Sequence, residues 1–126
     1  MHEVIPVLHK QWRLSFDLNP SGTINGWGSI IHLTIGENNS VYGDRTPGIW
    51  FYPDTTRLYI TSAVNGNKDY QTGTDAIPLN DWTHVVVTQF FKSDRCHYRI
   101  SVDGFVVHEC YNNDPQEFDN VKVSSS

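Results

Sequence analysis

The sequence has no long apolar run, little positive charge and only four glutamates. Its apolar runs are four residues or shorter, whereas a membrane-spanning helix needs about 20, so we expect no membrane insertion. The nine lysines and arginines are scattered along a chain of net charge −5, which argues against nucleic acid as a partner. The first ten residues lack the pattern of a secretion signal, so we expect that any signal has been removed or that the chain belongs to something larger.

Cysteine is also scarce. The chain has two cysteines, which allow one disulfide. No C-x-x-C or H-x-x-x-H spacing occurs, which argues against a structural zinc site. Aromatic residues, in contrast, make up 13% of the chain and stand among β-branched residues in short segments. A chain of 126 residues is long enough for one domain with its own core and leaves little room for two.

Alternation of apolar and polar residues predicts β-strands throughout the chain. Residues 12–18 alternate with a period of two, which places one face in a core and the other in water. The other expected strands are 29–35, 49–52, 58–63, 82–91, 98–102, 105–107 and 118–123, with long loops over 37–48 and 65–81. No segment has a helical period, so the sequence predicts an all-β fold: eight or nine strands in a two-sheet antiparallel sandwich or jelly roll.

Asp103-Gly104, between two alternating segments, predicts a β-hairpin. A two-residue loop would pair His97 with Cys110, and a three-residue loop with Gly104 in the left-handed region would pair Cys96 with Cys110. We favour the second register because it sets the two cysteines opposite each other, and a disulfide there would close a loop of about 15 residues and contribute about 3 kcal/mol. The alternative is two free, buried thiols in a cytosolic protein, whereas the disulfide indicates an extracellular location.

Two segments resemble a known family. Residues 78–88 (PLNDWTHVVVT) are similar to the segment P-L-x-x-W-x-H-V-x-V-T that enters a core strand in laminin G-like and pentraxin domains, and residues 12–18 (WRLSFDL) resemble an early strand there. These domains belong to the concanavalin A-like lectin/glucanase superfamily. The resemblance implies one laminin G-like jelly-roll module over 1–126, with 1–10 as an N-terminal extension or edge strand and 124–126 as a tail. We expect Trp82 to cap the core at the strand entrance.

The chain departs from that family near its C-terminus. Laminin G-like and pentraxin domains are longer and usually end with a glycine-rich strand, and nothing like it follows Val123. A missing strand would leave an open sheet edge, which would invite a strand from a partner or a homo-oligomer of this chain.

Catalysis is not expected. Glycosidases of the superfamily carry E-x-D-x-x-E, because hydrolysis needs paired carboxylates about 5 Å apart. The complete pattern occurs at none of the four glutamates, Glu3, Glu37, Glu109 and Glu117, and no G-x-S-x-G occurs. A reduced glycosidase-like enzyme is therefore the last alternative.

The two expected long loops flank adjacent strands, and we predict that they meet at one rim of the sandwich to bind a ligand. Aromatic rings stack on a sugar while Asn, Asp and Arg bond its hydroxyls, and the same side chains anchor protein partners. The predicted ligand-binding residues are Tyr42, Asp44, Arg45, Trp50, Tyr52, Tyr59, Asn65, Asn67, Asp69 and Tyr70. The alternative for Trp50 is core filling, and for Asp44 and Arg45 it is an internal ion pair.

Calcium takes clustered oxygen ligands from loops, and several laminin G-like and pentraxin domains bind it at the sandwich rim. The predicted metal ligands are Asp69, Asp75, Asn113 and Asp114, and the alternative is that these residues only form turns.

Asn38-Asn39-Ser40 is a glycosylation acceptor that agrees with an extracellular setting. The sequence thus predicts an extracellular, non-enzymatic module that recognises carbohydrate or a matrix or cell-surface protein, with a structural adhesion or assembly domain as the alternative.

Overall fold

The chain folds into ten β-strands in a computed structural model that describes residues 2–36 and 45–125. The strands are β1 (His2–Leu8), β2 (Trp12–Leu18), β3 (Gly28–Thr34), β4 (Gly48–Phe51), β5 (Arg57–Val64), β6 (Asn67–Ala76), β7 (Thr83–Lys92), β8 (Arg95–Val102), β9 (Phe105–Tyr111) and β10 (Phe118–Ser125). Within those described ranges there is no helix, and accordingly none that could span a membrane.

The strands form two antiparallel sheets. The six-stranded sheet has the order β1-β10-β3-β4-β5-β6, and the four-stranded sheet has the order β2-β7-β8-β9. The predicted all-β two-sheet sandwich is therefore confirmed, with ten strands rather than eight or nine. Strands β6 and β9 each lie at an edge of their sheet, as do β1 and β2.

The core lies between the two sheets, where alternate side chains of each strand meet. Its fully buried aliphatic members are Ile49, Leu58, Ile60 and Val64 from the six-stranded sheet and Val85, Val87 and Ile100 from the four-stranded sheet. Each such side chain contributes about 1.5–3 kcal/mol through removal from water. The faces that point away from this core are called the outer faces of the sheets.

Strand β6 shows that the predicted loop over 65–81 is wrong. Thr61 of β5 pairs with Gln71, and Ser62 pairs with Tyr70, so Tyr70 and Thr72 point inward. The outward positions of β6 carry polar residues or glycine. Because neither face carries an aliphatic run, the strand has no hydropathy alternation for a sequence pattern to detect.

The β8–β9 hairpin forms as predicted, but the favoured three-residue loop is wrong. Val102 pairs with Phe105 across Asp103 and Gly104, so the loop has two residues. Asp103 has a φ of 50° and Gly104 a φ of 83°, as a type I′ turn requires, and this turn matches the twist of the flanking strands. A bulge then shifts the pairing of the remaining residues by one.

This shift separates the two cysteines, and both are free thiols. Cys110 lies opposite Tyr98, whereas the carbonyl of Cys96 accepts a hydrogen bond from the backbone N–H of Asn112. The two cysteines are therefore diagonal neighbours, for which Cα atoms are about 7–8 Å apart, beyond the usual reach of a disulfide. The predicted disulfide is not formed in this structure, and the extracellular location loses that support.

The prediction that Trp82 caps the core is also wrong. The side chain of Trp82 is 67% exposed, and the strand begins one residue later at Thr83, which is fully buried. Trp82 thus lies in the turn before β7, outside the alternation that points Thr83, Val85 and Val87 inward.

Candidate ligand-binding site

Four aromatic residues gather on the outer face of the six-stranded sheet. Leu58 and Ile60 of β5 enter the core, so Tyr59 between them points outward, and Trp50 of β4 pairs with it. The set consists of Trp27, Trp50, Tyr52 and Tyr59, and we call it the aromatic cluster. It lies on a sheet face rather than at a rim of connecting loops.

The rings of the aromatic cluster contact one another edge to face or at a tilt. Trp27 has its ring centroid 5.1 Å from those of both Tyr52 and Tyr59. Tyr59 in turn lies 6.0 Å from Trp50 and 5.5 Å from Tyr52. Such pairs are worth about 0.5–1.5 kcal/mol each beyond the area they bury, so the cluster holds its own shape.

Two glycines make room for these rings. A Cβ at Gly48 would overlap the ring of Trp50, and a Cβ at Gly73 would lie 3.1 Å from the Tyr52 hydroxyl. Both glycines occupy outward positions on strands that flank β5, Gly48 opposite Thr61 and Gly73 opposite Tyr59. The absence of side chains at these positions lets the rings lie across the sheet.

The members of the cluster differ in exposure, and this assigns them different roles. Trp50 is 8% and Tyr59 9% exposed, whereas Trp27 is 53% exposed. Trp50 is therefore mainly a packing residue. Core filling was one of the two alternatives for it, but Trp50 packs on the outer face of the sheet and not in the core between the sheets. Trp27 leaves about half of its surface exposed to solvent, and the sequence prediction missed it.

A pocket of about 300 Å³ lies beside the exposed ring, lined by Trp27, Arg45, Trp50 and Tyr59. This volume is at the lower end of the range for ligand pockets. The guanidinium carbon of Arg45 is 5.2 Å from the centroid of the Trp50 ring, and its Nη1 lies 3.4 Å from the Tyr59 hydroxyl. The pocket thus combines apolar ring surface with a hydrogen-bond donor group.

Asp69 of β6 fixes the position of Arg45. The Arg45 Nη1 donates to Asp69 Oδ1 at 2.9 Å, and both side chains are less than one-fifth exposed. Burial alone would raise the pKa of Asp69, but hydrogen bonds from Thr61, Gln71 and Arg45 outweigh it and lower the pKa. The pKa of Tyr59 is raised by burial and by the Asp69 carboxylate, so Tyr59 stays a neutral phenol.

Five of the predicted ligand-binding residues come together in this region, namely Arg45, Trp50, Tyr52, Tyr59 and Asp69. Tyr42 and Asp44 lie outside the described residues, and so does the glycosylation acceptor at Asn38. The residues meet on the face of a sheet and not at a rim where two loops converge, because most of the predicted second loop forms strand β6.

The remaining three predicted ligand-binding residues have other positions. Tyr70 points between the sheets, where its hydroxyl lies 2.9 Å from His108 Nε2. Asn65 holds the β5–β6 turn to the end of β9, since its Nδ2 donates to the Tyr111 carbonyl at 2.8 Å. Asn67 accepts a hydrogen bond from the Asp69 backbone N–H at 3.0 Å, so it shapes the turn.

The predicted calcium ligands do not form one site. Asp69 and Asp75 lie six positions apart on β6, which separates them by about 20 Å at a rise of about 3.3 Å per residue. Asn113 and Asp114 follow β9 on a different part of the molecule. Over residues 2–36 and 45–125, no three His, Cys, Asp or Glu side chains converge as metal ligands. The calcium prediction therefore has no support from the geometry of these residues.

The fold defines the class of structure to which the chain belongs. The two antiparallel sheets pack as a jelly-roll sandwich of the concanavalin A-like kind, as the resemblance implied. A solved structure with this fold is the native heptameric SAP-like pentraxin from Limulus polyphemus, with a TM-score of 0.61 and 15% sequence identity. The match covers 97% of this chain and 55% of the pentraxin chain, so this chain spans about half the length of that protein.

This likeness establishes the fold alone. No protein-family model matches the chain, and no curated protein matches it.

Proposed function

We propose that this chain is a non-enzymatic recognition module that binds carbohydrate on the outer face of the six-stranded sheet. The observation that carries the proposal is the exposed Trp27 ring, held by Tyr52 and Tyr59 beside a pocket into which Arg45 projects. An aromatic ring offers an apolar platform for one face of a sugar ring, and a few placed polar groups give orientation. Arg45 and Asp69 supply those polar groups.

An aromatic cluster of this kind can also attract a ligand cation, such as a quaternary ammonium group. Here the guanidinium of Arg45 lies over the Trp50 ring and occupies the place that a ligand cation would take. The Asp69 carboxylate, which could attract a ligand cation, is already paired with Arg45. A neutral polyhydroxyl ligand therefore fits the site better than a cation does.

Glu109 supports a role without catalysis. A general acid in glycoside hydrolysis needs a raised pKa, so that it carries a proton at neutral pH. Hydrogen bonds from Arg99 lower the pKa of Glu109 instead, and its carboxylate is bound at 3.1 and 3.2 Å by that guanidinium. Glu109 is thus held as an ionised structural carboxylate.

A glycan array followed by calorimetry with the best ligand tests the proposal. We expect Trp27→Ala to weaken binding by tenfold or more, that is by about 1.4 kcal/mol, because the change removes the large apolar ring on which the sugar stacks. Trp82→Ala is the matched control, since Trp82 is also an exposed tryptophan and lies away from the aromatic cluster. It should bind like the unmodified protein.

Equal losses in Trp27→Ala and Trp82→Ala, or an array with no ligand at all, would contradict the proposal. The array is read with millimolar calcium and again with a chelator. Binding that needs calcium would place the sugar contact elsewhere, because no three His, Cys, Asp or Glu side chains converge as metal ligands among residues 2–36 and 45–125.

A second candidate function, assembly with further copies of this chain, is favoured by an apolar edge. Phe105, Val106 and Val107 of edge strand β9 are 76%, 53% and 50% exposed. Phe105 and Val107 border a groove of about 520 Å³ that Ile77 and Pro78 also line. Exposed apolar residues on an open strand edge favour pairing with another strand, and the Limulus pentraxin is itself a heptamer.

Light scattering tests this second candidate. If β9 pairs with β9 of a second copy, Val106→Lys should convert the assembly to monomers, because a charge on an edge strand opposes pairing. A monomeric unmodified protein would overturn this second candidate.

The extracellular location remains part of the proposal, and secretion of the full-length gene product with its natural leader would test that location.

A further inference from the structure

The hydroxyl of Tyr52 and the guanidinium of Arg57 flank a space above Gly73, on the outer face of the six-stranded sheet. A Cβ at Gly73 would lie 3.1 Å from the Tyr52 hydroxyl and 3.8 Å from Arg57 Nη2. Gly73 pairs with Tyr59, so this space adjoins the aromatic cluster. We call the space the Gly73 cradle. Two hydrogen-bond donor groups therefore border a place that any other residue at this position would fill with its own side chain.

Two contacts hold the Arg57 side chain in position. Its Nε donates a hydrogen bond to the Thr74 carbonyl at 3.1 Å, and its guanidinium carbon lies 5.4 Å from the centroid of the Tyr52 ring. Within residues 2–36 and 45–125, Arg57 forms no ion pair with an Asp or Glu, and neither Nη group donates a hydrogen bond. Arg57 is thus a positioned cation whose outer N–H groups are available to a ligand.

Arg45, the other arginine beside the aromatic cluster, is in a different state. Its charge is neutralised by the Asp69 carboxylate at 2.9 Å. Arg57 is exposed and lines the groove of about 520 Å³, and Asp75 lines the same groove without forming an ion pair with Arg57. An anion at the Gly73 cradle would therefore meet a guanidinium whose charge is not already paired.

We propose that the Gly73 cradle binds a carboxylate of the ligand, so that the glycan recognised at the aromatic cluster carries a uronic acid. This inference rests on the carbohydrate-binding function proposed above. A guanidinium presents its N–H groups as a planar fork that matches the two oxygens of a carboxylate, and the Tyr52 hydroxyl supplies a further donor. The Tyr52 ring lies 5.1 Å from the Trp27 ring, so a sugar on Trp27 and a carboxylate in the cradle flank the same side chain.

Calorimetry with pairs of glycans that differ in a single carboxylate tests the cradle. One member carries a uronic acid, and in the other member the same carboxyl group is reduced to a hydroxymethyl group. We expect the unmodified protein to prefer the acidic member by about fivefold, as for a well-aligned ion pair near the surface. Arg57→Gln should remove this preference and keep the affinity for the neutral member. Arg13→Gln is the matched control and should keep the preference, because Arg13 is an exposed arginine on the other sheet.

Gly73→Ala tests the space and leaves the charge of Arg57 in place. The new methyl group occupies the cradle, so the preference for the acidic member should fall. Equal binding of the two members by the unmodified protein would overturn the inference, and it would leave the proposed function intact if Trp27→Ala weakens both. A preference that survives Arg57→Gln, or a stronger preference for a sulfated glycan, would also overturn the assignment of a carboxylate to this place.

A second measurement uses the unmodified protein and does not require a glycan on the aromatic cluster. Glucuronate and glucose are titrated separately at constant ionic strength, and NMR follows the Nε–H signal of Arg57, which the hydrogen bond to Thr74 holds in place. We expect glucuronate to shift this signal to saturation and glucose to leave it unchanged. Equal shifts at Arg57 and Arg13, or no shift with glucuronate, would overturn the inference. A glycan array with no ligand would contradict the proposed function, and this titration would still decide whether the cradle binds a carboxylate.

Discussion

The outer faces of the two sheets use similar residues in different arrangements. On the six-stranded sheet, the aromatic cluster folds across positions occupied by Gly48 and Gly73. On the four-stranded sheet, Phe90, His97 and Tyr111 are cross-strand partners that stand in a row. In that row, adjacent ring centroids are 5.0 Å apart. Glycines beneath the rings leave a concave surface on the six-stranded sheet. On the four-stranded sheet, the aligned side chains of neighbouring strands cover one another.

The charged pairs on the two faces differ in their contact with water. Arg45 and Asp69 have side chains that are 17% and 16% exposed, whereas those of Arg99 and Glu109 are 35% and 36% exposed. An ion pair that is shielded from solvent holds its geometry more firmly than one in water, and removal of one partner costs more. The comparison therefore predicts a fixed binding geometry on the six-stranded sheet and an adaptable surface on the other.

Substitution of Gly48 should have the largest effect on the difference between the two outer faces. In Gly48→Ala, the new methyl group overlaps the Trp50 ring, which must move and carry its contact with Tyr59 along. We expect a loss of about 1–3 kcal/mol in the free energy of unfolding, because an extra methyl group is forced into a packed site. Carbohydrate affinity should fall by tenfold or more. Thermal melting and calorimetry measure the two effects.

Gly22→Ala is the control for this change. A Cβ at Gly22 would meet no atom within 4 Å, so stability and binding should stay as they are. A Gly48→Ala protein that keeps both properties would show that the aromatic cluster does not depend on the space above this glycine.

The next effect in size concerns Asp69. In Asp69→Asn, the hydrogen bonds from Arg45 and Thr61 lose their ionised acceptor, which should cost about 1–3 kcal/mol at neutral pH. The pKa of Asp69 is lowered in the fold, so its contribution is present above the ordinary pKa of 3.8 and is lost as the pH falls through the lower folded value. The stability difference between Asp69→Asn and the unmodified protein should therefore shrink in acid.

Urea unfolding at neutral pH and at about pH 2.5 measures this change. Asp75→Asn serves as the control, since Asp75 is an exposed residue of the same strand. A stability difference for Asp69→Asn that is the same at both pH values would exclude an ionised Asp69 as its cause.

Much of the fold could be predicted from the sequence because several strands have one apolar face. Residues 12–18 were predicted to the residue, and β7 differs by one residue at each end. Strand β6 could not be recognised, since its inward face carries Tyr70 and Thr72 instead of aliphatic residues. The β9 bulge, which displaces Cys110 by one position, leaves no signal in the local pattern.

The candidate site could be predicted from the sequence only in part. Aromatic and charged residues near 45–59 and Asp69 could be named by type, because ligand sites combine these side chains. Trp27 was missed, although a tryptophan between Gly26 and Gly28 in a connecting segment is a usable signal for an exposed ring. The roles of Gly48 and Gly73 depend on register across β4, β5 and β6, and a single sequence does not reveal register.

The smallest expected effect concerns Glu109 on the four-stranded sheet. Its pKa is lowered by hydrogen bonds from Arg99, so its contribution to stability is also present above the ordinary value of 4.5 and lost in acid. Because the pair is exposed, Glu109→Gln should cost about 0–1 kcal/mol at neutral pH and should leave carbohydrate binding unchanged. The same urea titrations measure it, and 0.5 M salt should reduce the effect further, since salt screens exposed charges to about 4 Å. A loss as large as that of Asp69→Asn would mean that both outer faces are equally rigid, and the contrast between them would have to be abandoned.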